Sequence, residues 1–120
     1  MLDTNTKDFL RKLTTETEIN QKLVDAMEVT GLNDERALVV DDLITKGDFG
    51  DLASKSQALR AKIAAYFRAL QEEGLGKFLI GRRGHPSRFI LGTDLTLDML
   101  LEASRGETGA LDTMAVAVAS

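Results

Sequence analysis

Glycine closes three consecutive helix-forming segments of this chain, and this punctuation limits the fold more than any other sequence feature. Gly31, Gly47 and Gly74 each follow a segment whose apolar residues recur at helical spacing. Gly31, for example, supplies a residue that readily takes the left-handed backbone after a last helical turn. The 120 residues contain ten Gly and one Pro. We therefore predict a mainly helical chain with a single core, in which short helices are separated by glycine turns.

The helices are predicted from their caps and from the spacing of apolar residues. Thr15 and Glu18 form a capping box, a hydroxyl followed three residues later by a carboxylate. Asn33 is a second candidate cap. In the longest segment Ile63, Phe67 and Leu70 recur at i, i+4 and i+7, which defines one apolar face. The predicted helices cover about residues 5–13, 15–29, 33–46, 52–73 and 95–106. The last residues, 107–120, are weakly patterned, and 115–119 are predicted either as a frayed tail or as an edge strand.

A basic hairpin is predicted after the longest helix. Residues 77–80 and 88–91 alternate like two short strands, and Gly81–Ser87 between them contains two Gly and one Pro. Residues 54–90 carry eight basic and two acidic side chains, a net charge of +6, although the whole chain has a net charge of −4. A basic block in an acidic chain indicates either a nucleic-acid surface or an ordinary solvated face.

The composition argues against several other classes of protein. The chain has no Cys and one His, so thiolate chemistry, disulfides and a His-based metal cage are excluded within one chain. No apolar run has the roughly 20 residues that a membrane span needs, and the first residues lack a secretory pattern, so we expect a cytoplasmic protein without membrane contact. The neighbouring carboxylates Asp41 and Asp42 point about 100° apart on a helix and do not converge. No phosphate-binding or dinucleotide fingerprint is present. We expect neither an enzyme nor a cofactor.

Three stretches of the sequence form a recognisable series: Asp51-Leu52-Ala53, then, twelve residues later, Tyr66–Leu75, and then Gly81-Arg82-Arg83-Gly84. Together they resemble winged helix-turn-helix transcriptional regulators of the MarR and ArsR type, in which the last stretch corresponds to the wing. The resemblance covers about residues 34–92. It implies a mainly α winged helix with a small β-hairpin wing and extra helices at both ends. The implied domains are a helical extension (1–32), the winged helix (33–92) and a C-terminal helix with a flexible tail (93–120). The turn between the two helices lacks a Gly and would fall near 57–59, and no clear first strand is visible to pair with the wing.

The resemblance implies binding to double-stranded DNA. A recognition helix of about 60–73 would enter the major groove, and a wing of 81–88 would lie on the adjacent minor groove or backbone. In this interpretation Arg60 contacts guanine, Gln57 contacts adenine and Lys62 contacts phosphate. The candidate DNA-binding residues are Lys55, Gln57, Arg60, Lys62, Arg82, Arg83, His85 and Arg88. Arg82 and Arg83 suit the negative potential of a minor groove, whereas His85 is a turn residue or a phosphate donor.

The function predicted from the sequence is a homodimeric transcriptional regulator. The two-fold contact would come from the apolar N-terminal helices or from residues 94–101, although both segments could equally cover the chain's own core. The N-terminal apolar residues are Phe9, Leu10, Leu13, Leu23 and Met27. Two other functions stay open: a winged helix that binds another protein, and a DNA-architectural protein without sequence preference.

Overall fold

The chain is mainly helical and carries one small antiparallel sheet. The computed structural model describes residues 4–82 and 84–104. The elements are α1 (Thr4–Thr15), α2 (Glu18–Thr30), β1 (Ala37–Val39), α3 (Val40–Lys46), a 3-10 turn (Gly50–Ser54), α4 (Ser56–Glu72), β2 (Gly76–Leu79) and β3 (Arg88–Leu91). Residues 97–104 are also helical. The predicted helical class and the hairpin are confirmed, while the expectations for 107–120 lie outside the described residues.

The hairpin supplies two strands of a three-stranded sheet, with β3 at its centre. The strand order is β1–β3–β2, and both pairs are antiparallel. Phe89 on β3 lies opposite Leu38 on β1 and opposite Phe78 on β2. The Val40 amide continues the pairing by donating to the Ser87 carbonyl at 3.0 Å. The sheet therefore fixes the start of α3 beside the hairpin.

The prediction of a helix from Asn33 was wrong in its first half, because β1 occupies residues 37–39 and the helix begins at Val40. The Asn33 side chain does not cap a helix. Its Oδ1 accepts from the amides of Glu35 and Ala37, at 2.8 and 3.0 Å, and so closes a turn. Arg36 in that turn has a φ of 61°. Its guanidinium donates to the Leu95 carbonyl at 2.8 Å, which holds this uncommon backbone in place.

Two other boundaries differ from the prediction. The cap of α2 is Thr17, whose hydroxyl accepts from the Asn20 amide at 3.0 Å, because the Thr15 hydroxyl is already bonded to the Arg11 carbonyl within α1. The long helix does not begin at residue 52. A 3-10 turn ends at Ser54, and α4 starts at Ser56. The sequence places the turn between α3 and α4 near residues 57–59. In the structure the connection ends before these residues, which belong to α4.

Glycine follows the helices for two different physical reasons. Gly31 and Gly74 follow α2 and α4 with φ values of 74° and 77°, a left-handed backbone that glycine adopts without a Cβ penalty. Gly47 follows α3 with a φ of −84° and has no need of that freedom. A Cβ at Gly47 would lie 2.6 Å from the Cβ of Ala26, so here glycine permits the close approach of α2 and α3.

A single core joins the helices to the sheet. Phe67 of α4 is fully buried and stacks on Phe89, with 4.9 Å between ring centres and 7° between planes. The ring of Phe78 lies 5.8 Å away on another side. Leu10 of α1 and Leu100 of the C-terminal helical segment are buried in the same cluster. Residues from all three predicted domains therefore contribute to one core.

The apolar N-terminal residues that suggested a dimer contact are used within the chain. Leu10, Leu23 and Met27 are buried, and Phe9 and Leu13 pack half-buried against the same core. The buried hydroxyls of Thr14 and Tyr66 are hydrogen-bonded at 2.9 Å, which ties α1 to α4. Desolvation by burial raises the pKa of Tyr66 to about 12, and the bond to Thr14 opposes this shift.

Candidate nucleic-acid interface

The outward face of α4 is the first candidate surface. Ile63, Tyr66, Phe67 and Leu70 are buried, as their spacing predicts. The opposite side presents Arg60, Ala61 and Arg68 as exposed residues and Ala64 as a half-buried one. Small alanines between two arginines leave room for a partner to come close to the helix backbone.

A groove separates this face of α4 from the hairpin, and we call it the helix–hairpin groove. Its lining residues are Val40, Gln57, Arg60, Ala61, Ala64, Arg68, Phe78, Ile80 and Ser87. The guanidinium carbon of Arg68 lies 5.6 Å from the ring centre of Phe78, a cation–π contact that holds Arg68 against the groove wall. The groove thus has cationic side chains on the helix side and apolar ones on the hairpin side.

The end of the hairpin is a tight turn. Arg82 and His85 exchange two backbone hydrogen bonds of 2.9 Å each, and Gly84 between them has a φ of 84°. The Gly81 amide also donates to the Ser87 hydroxyl at 2.8 Å. A Cβ at Gly81 would lie 2.6 Å from the Ser87 amide nitrogen, so glycine is needed at that close approach. Arg82 and His85 are exposed on this turn, and the candidate Arg83 lies outside the described residues.

A second groove runs from the hairpin end to the first turn of α3, and we call it the tip groove. Its lining residues are Val39, Asp41, Asp42, Arg82, Gly84, His85 and Pro86. Two carboxylates therefore face the same space as the predicted wing. Because α3 also contributes Val40 to the helix–hairpin groove, its first turn lies where the two grooves meet.

Two of the candidate arginines are ion-paired. Arg60 Nη2 donates to Asp41 Oδ1, joining α4 to α3. Arg88 Nε donates to Glu35 Oε1 at 3.2 Å, and its Nη1 donates to the Pro86 carbonyl at 3.3 Å. The Arg88 side chain is only 22% exposed. Arg88 thus connects β3 to the turn before β1, a placement that leaves its guanidinium little surface for DNA.

The other helix candidates separate into two groups. Gln57 is exposed and lines the helix–hairpin groove with Arg60. Lys55 is exposed just before α4. Lys62 lies on a different side of α4, where it lines a groove with Glu16 and Thr17 of the α1–α2 turn. The structure therefore brings Gln57 and Arg60 to one surface with the hairpin and leaves Lys62 away from it.

Three residues at this surface were not among the sequence candidates. They are Asp41, which pairs with Arg60, Arg68, which lies over Phe78, and Ile80, which is 56% exposed beside the groove. Ile80 could have been found from the sequence, since it is an apolar residue at the loop end of the predicted strand 77–80. Asp41 could not, because it lies 19 residues from Arg60 in the sequence.

No family model, curated protein or solved structure matches the chain. Within residues 4–82 and 84–104, no three His, Cys, Asp or Glu side chains are grouped so that they could hold a metal ion. The same ranges contain no helix with the length and apolar character needed to cross a membrane. The functional interpretation therefore depends on the geometry of the α4 face and the hairpin.

Proposed function

We propose that this chain is a winged-helix protein that binds double-stranded DNA and regulates transcription. The observation that carries the proposal is the exposed, arginine-bearing face of α4 beside a basic hairpin. The order of short helix, long helix and hairpin is the one that the sequence resemblance implies. The strand β1 supplies the partner that a wing requires, and it was missing from the sequence interpretation.

In this proposal α4 enters the major groove with its outward face. The major groove accepts a helix and presents each base pair as a distinct pattern of donors and acceptors. Arg60 has the fork of donors that matches guanine O6 and N7, and Gln57 has the amide that matches adenine N6 and N7. Ala61 and Ala64 let the helix approach closely. Arg82, His85 and the sequence neighbour Arg83 contact the minor groove or the backbone beside it.

The wing is tested by changing Arg82 and Arg83 together to Ala. Each phosphate contact contributes about 0.9 to the slope of log K against log salt concentration, so the double variant flattens that slope by up to about 1.8. Binding weakens on all duplexes alike, because phosphate contacts position a protein without reading bases. The measurement is fluorescence polarisation against random duplexes and the gene's own upstream DNA at several salt concentrations.

The matched control removes the same charge elsewhere. Lys7 and Lys12 are exposed on α1, far along the chain from the hairpin. Changing both to Ala alters the net charge equally and leaves the salt slope unchanged if the wing makes the contacts. An unchanged affinity and slope in the Arg82/Arg83 variant would remove the wing from the DNA interface.

A protein-interaction module is the second candidate, and the carboxylates favour it. Asp41 and Asp42 line the tip groove, where they oppose the approach of phosphate. Asp41 and Glu35 also neutralise Arg60 and Arg88 in ion pairs. If the wild-type chain binds no duplex at low salt, this second function takes precedence over DNA binding.

A further inference from the structure

The ion pair between Arg60 and Asp41 lies at the place where the helix–hairpin groove and the tip groove meet. Arg60 lines the first groove and Asp41 the second, so their ion pair joins a residue of one groove to a residue of the other. The side chains are 46% and 55% exposed. An ion pair this exposed contributes little to the stability of the fold. Its role is therefore sought in what the surface binds.

We infer that Asp41 is a positioning residue that orients Arg60 for guanine and so increases the preference for one site over other sequences. The inference rests on the proposed DNA binding. Asp41 is contacted by one terminal nitrogen of Arg60, Nη2. An arginine carries five N–H donors in a rigid fork. The remaining donors therefore stay available for the two acceptors on the major-groove edge of guanine.

Two physical effects follow from this ion pair, and only the first distinguishes one duplex from another. An unrestrained arginine loses rotamer freedom when it docks on a base, whereas an arginine already held by a carboxylate loses less. The carboxylate also repels the phosphates of every duplex, which lowers the affinities for selected and random DNA together and leaves their ratio unchanged. Asp41 thus strengthens binding at the preferred site relative to binding anywhere else.

Asp42 provides a matched control for this role. It is the next residue on α3, is exposed and lines the same tip groove. Within residues 4–82 and 84–104 it has no ion pair. Asp41→Asn and Asp42→Asn remove the same charge at neighbouring positions, but only Asp41→Asn releases Arg60. If only charge matters, the two variants change the affinities for DNA equally. If Asp41 positions Arg60, only Asp41→Asn changes the ratio of the affinities for selected and random duplexes.

The experiment compares dissociation constants on two probes, a duplex selected from a randomised pool by the wild-type chain and an unselected random duplex. Arg60→Ala lowers the ratio of the two affinities by about 5- to 150-fold, the range for one bidentate base contact. Asp41→Asn lowers it by about 5- to 30-fold, the upper end being the equivalent of one arginine's rotamer entropy. Asp42→Asn raises both affinities together and leaves the ratio unchanged. In an Arg60→Ala background, Asp41→Asn no longer changes the ratio.

Each other outcome is decisive. If Asp41→Asn and Asp42→Asn behave alike while the wild type prefers the selected duplex, DNA binding stands and the positioning role of Asp41 is overturned. If the pool yields no preferred duplex although random DNA binds, Arg60 reads no base, and the inference fails in favour of an architectural protein. If no duplex binds at all, the proposed function fails and the inference fails with it. Circular dichroism of every variant verifies that its helices are intact.

Discussion

Replacing Phe67 with Ala tests whether the structure assigns the correct face of α4 to the core. The Phe67 side chain is fully buried and contacts three other rings, those of Phe89, Phe78 and Tyr66. A buried Phe→Ala change costs about 3–5 kcal/mol, and lost ring pairs add to the cost of lost apolar area. We therefore expect a loss of about 4–5 kcal/mol. Since small domains are stable by about 5–15 kcal/mol, the variant is left at the margin of folding.

Urea unfolding followed by circular dichroism measures this loss. With a slope of about 1.5 kcal/mol per molar urea, the midpoint falls by about 3 M. Phe67→Leu keeps most of the apolar volume and loses the ring contacts, so it costs about 1–3 kcal/mol and stays measurable if the Ala variant is unfolded. Lys62→Ala on the exposed side of the same helix serves as the control and changes stability by less than about 0.5 kcal/mol. A Phe67→Ala loss below about 1 kcal/mol would show that α4 faces the other way.

Two further predictions concern Tyr66 and the oligomeric state. Tyr66 is the only tyrosine and there is no Trp, so near-ultraviolet absorbance follows the ionisation of Tyr66 alone. We expect Tyr66 in the folded chain to ionise with a pKa of about 12. Ionisation near the ordinary value of about 10 would contradict its burial. The unfolded chain loses the Tyr66 proton at a lower pH than the folded chain does. The contribution of the protonated Tyr66 to the free energy of unfolding is therefore complete below about pH 10 and is lost as the pH rises through the folded-state pKa of about 12. A Tyr66→Phe chain lacks this pH-dependent contribution. The predicted homodimer gives a light-scattering mass near twice 13.1 kDa, and a concentration-independent mass of one chain would remove it.

The sequence predicted well those features that depend on near neighbours. The buried face of α4 follows from the spacing of Ile63, Phe67 and Leu70, and periodicity within one helix is a local signal. The hairpin strands were placed to within one residue, because Gly81 and Pro86 mark the loop between them. The cap of α2 was misplaced by two residues, since Thr15 and Thr17 are both suitable hydroxyls and the bond to Arg11 decides between them.

Features that depend on distant partners were missed. The strand β1 has three residues, too few to show alternation, and its apolar side chains also fit a helical face. Pairing with β3, about 50 positions later, decides its conformation, and no local propensity reports that partner. The contact of Asp41 with Arg60 has the same origin, because only the folded chain brings the first turn of α3 within reach of Arg60 on α4.

These distant contacts change how the charge of the candidate surface is interpreted. The basic block at 54–90 has eight cationic side chains, but Arg60 and Arg88 are paired with carboxylates from outside the block. A charge count along the sequence therefore overstates the field that a phosphate would meet, since Asp41 and Asp42 lie in the same groove as Arg82. Non-specific attraction scales with neutralised phosphates, whereas base reading depends on how the remaining donors of one arginine are oriented. If the chain binds DNA as we propose, the ratio of affinities for selected and random duplexes therefore measures the role of Arg60 more directly than either affinity alone.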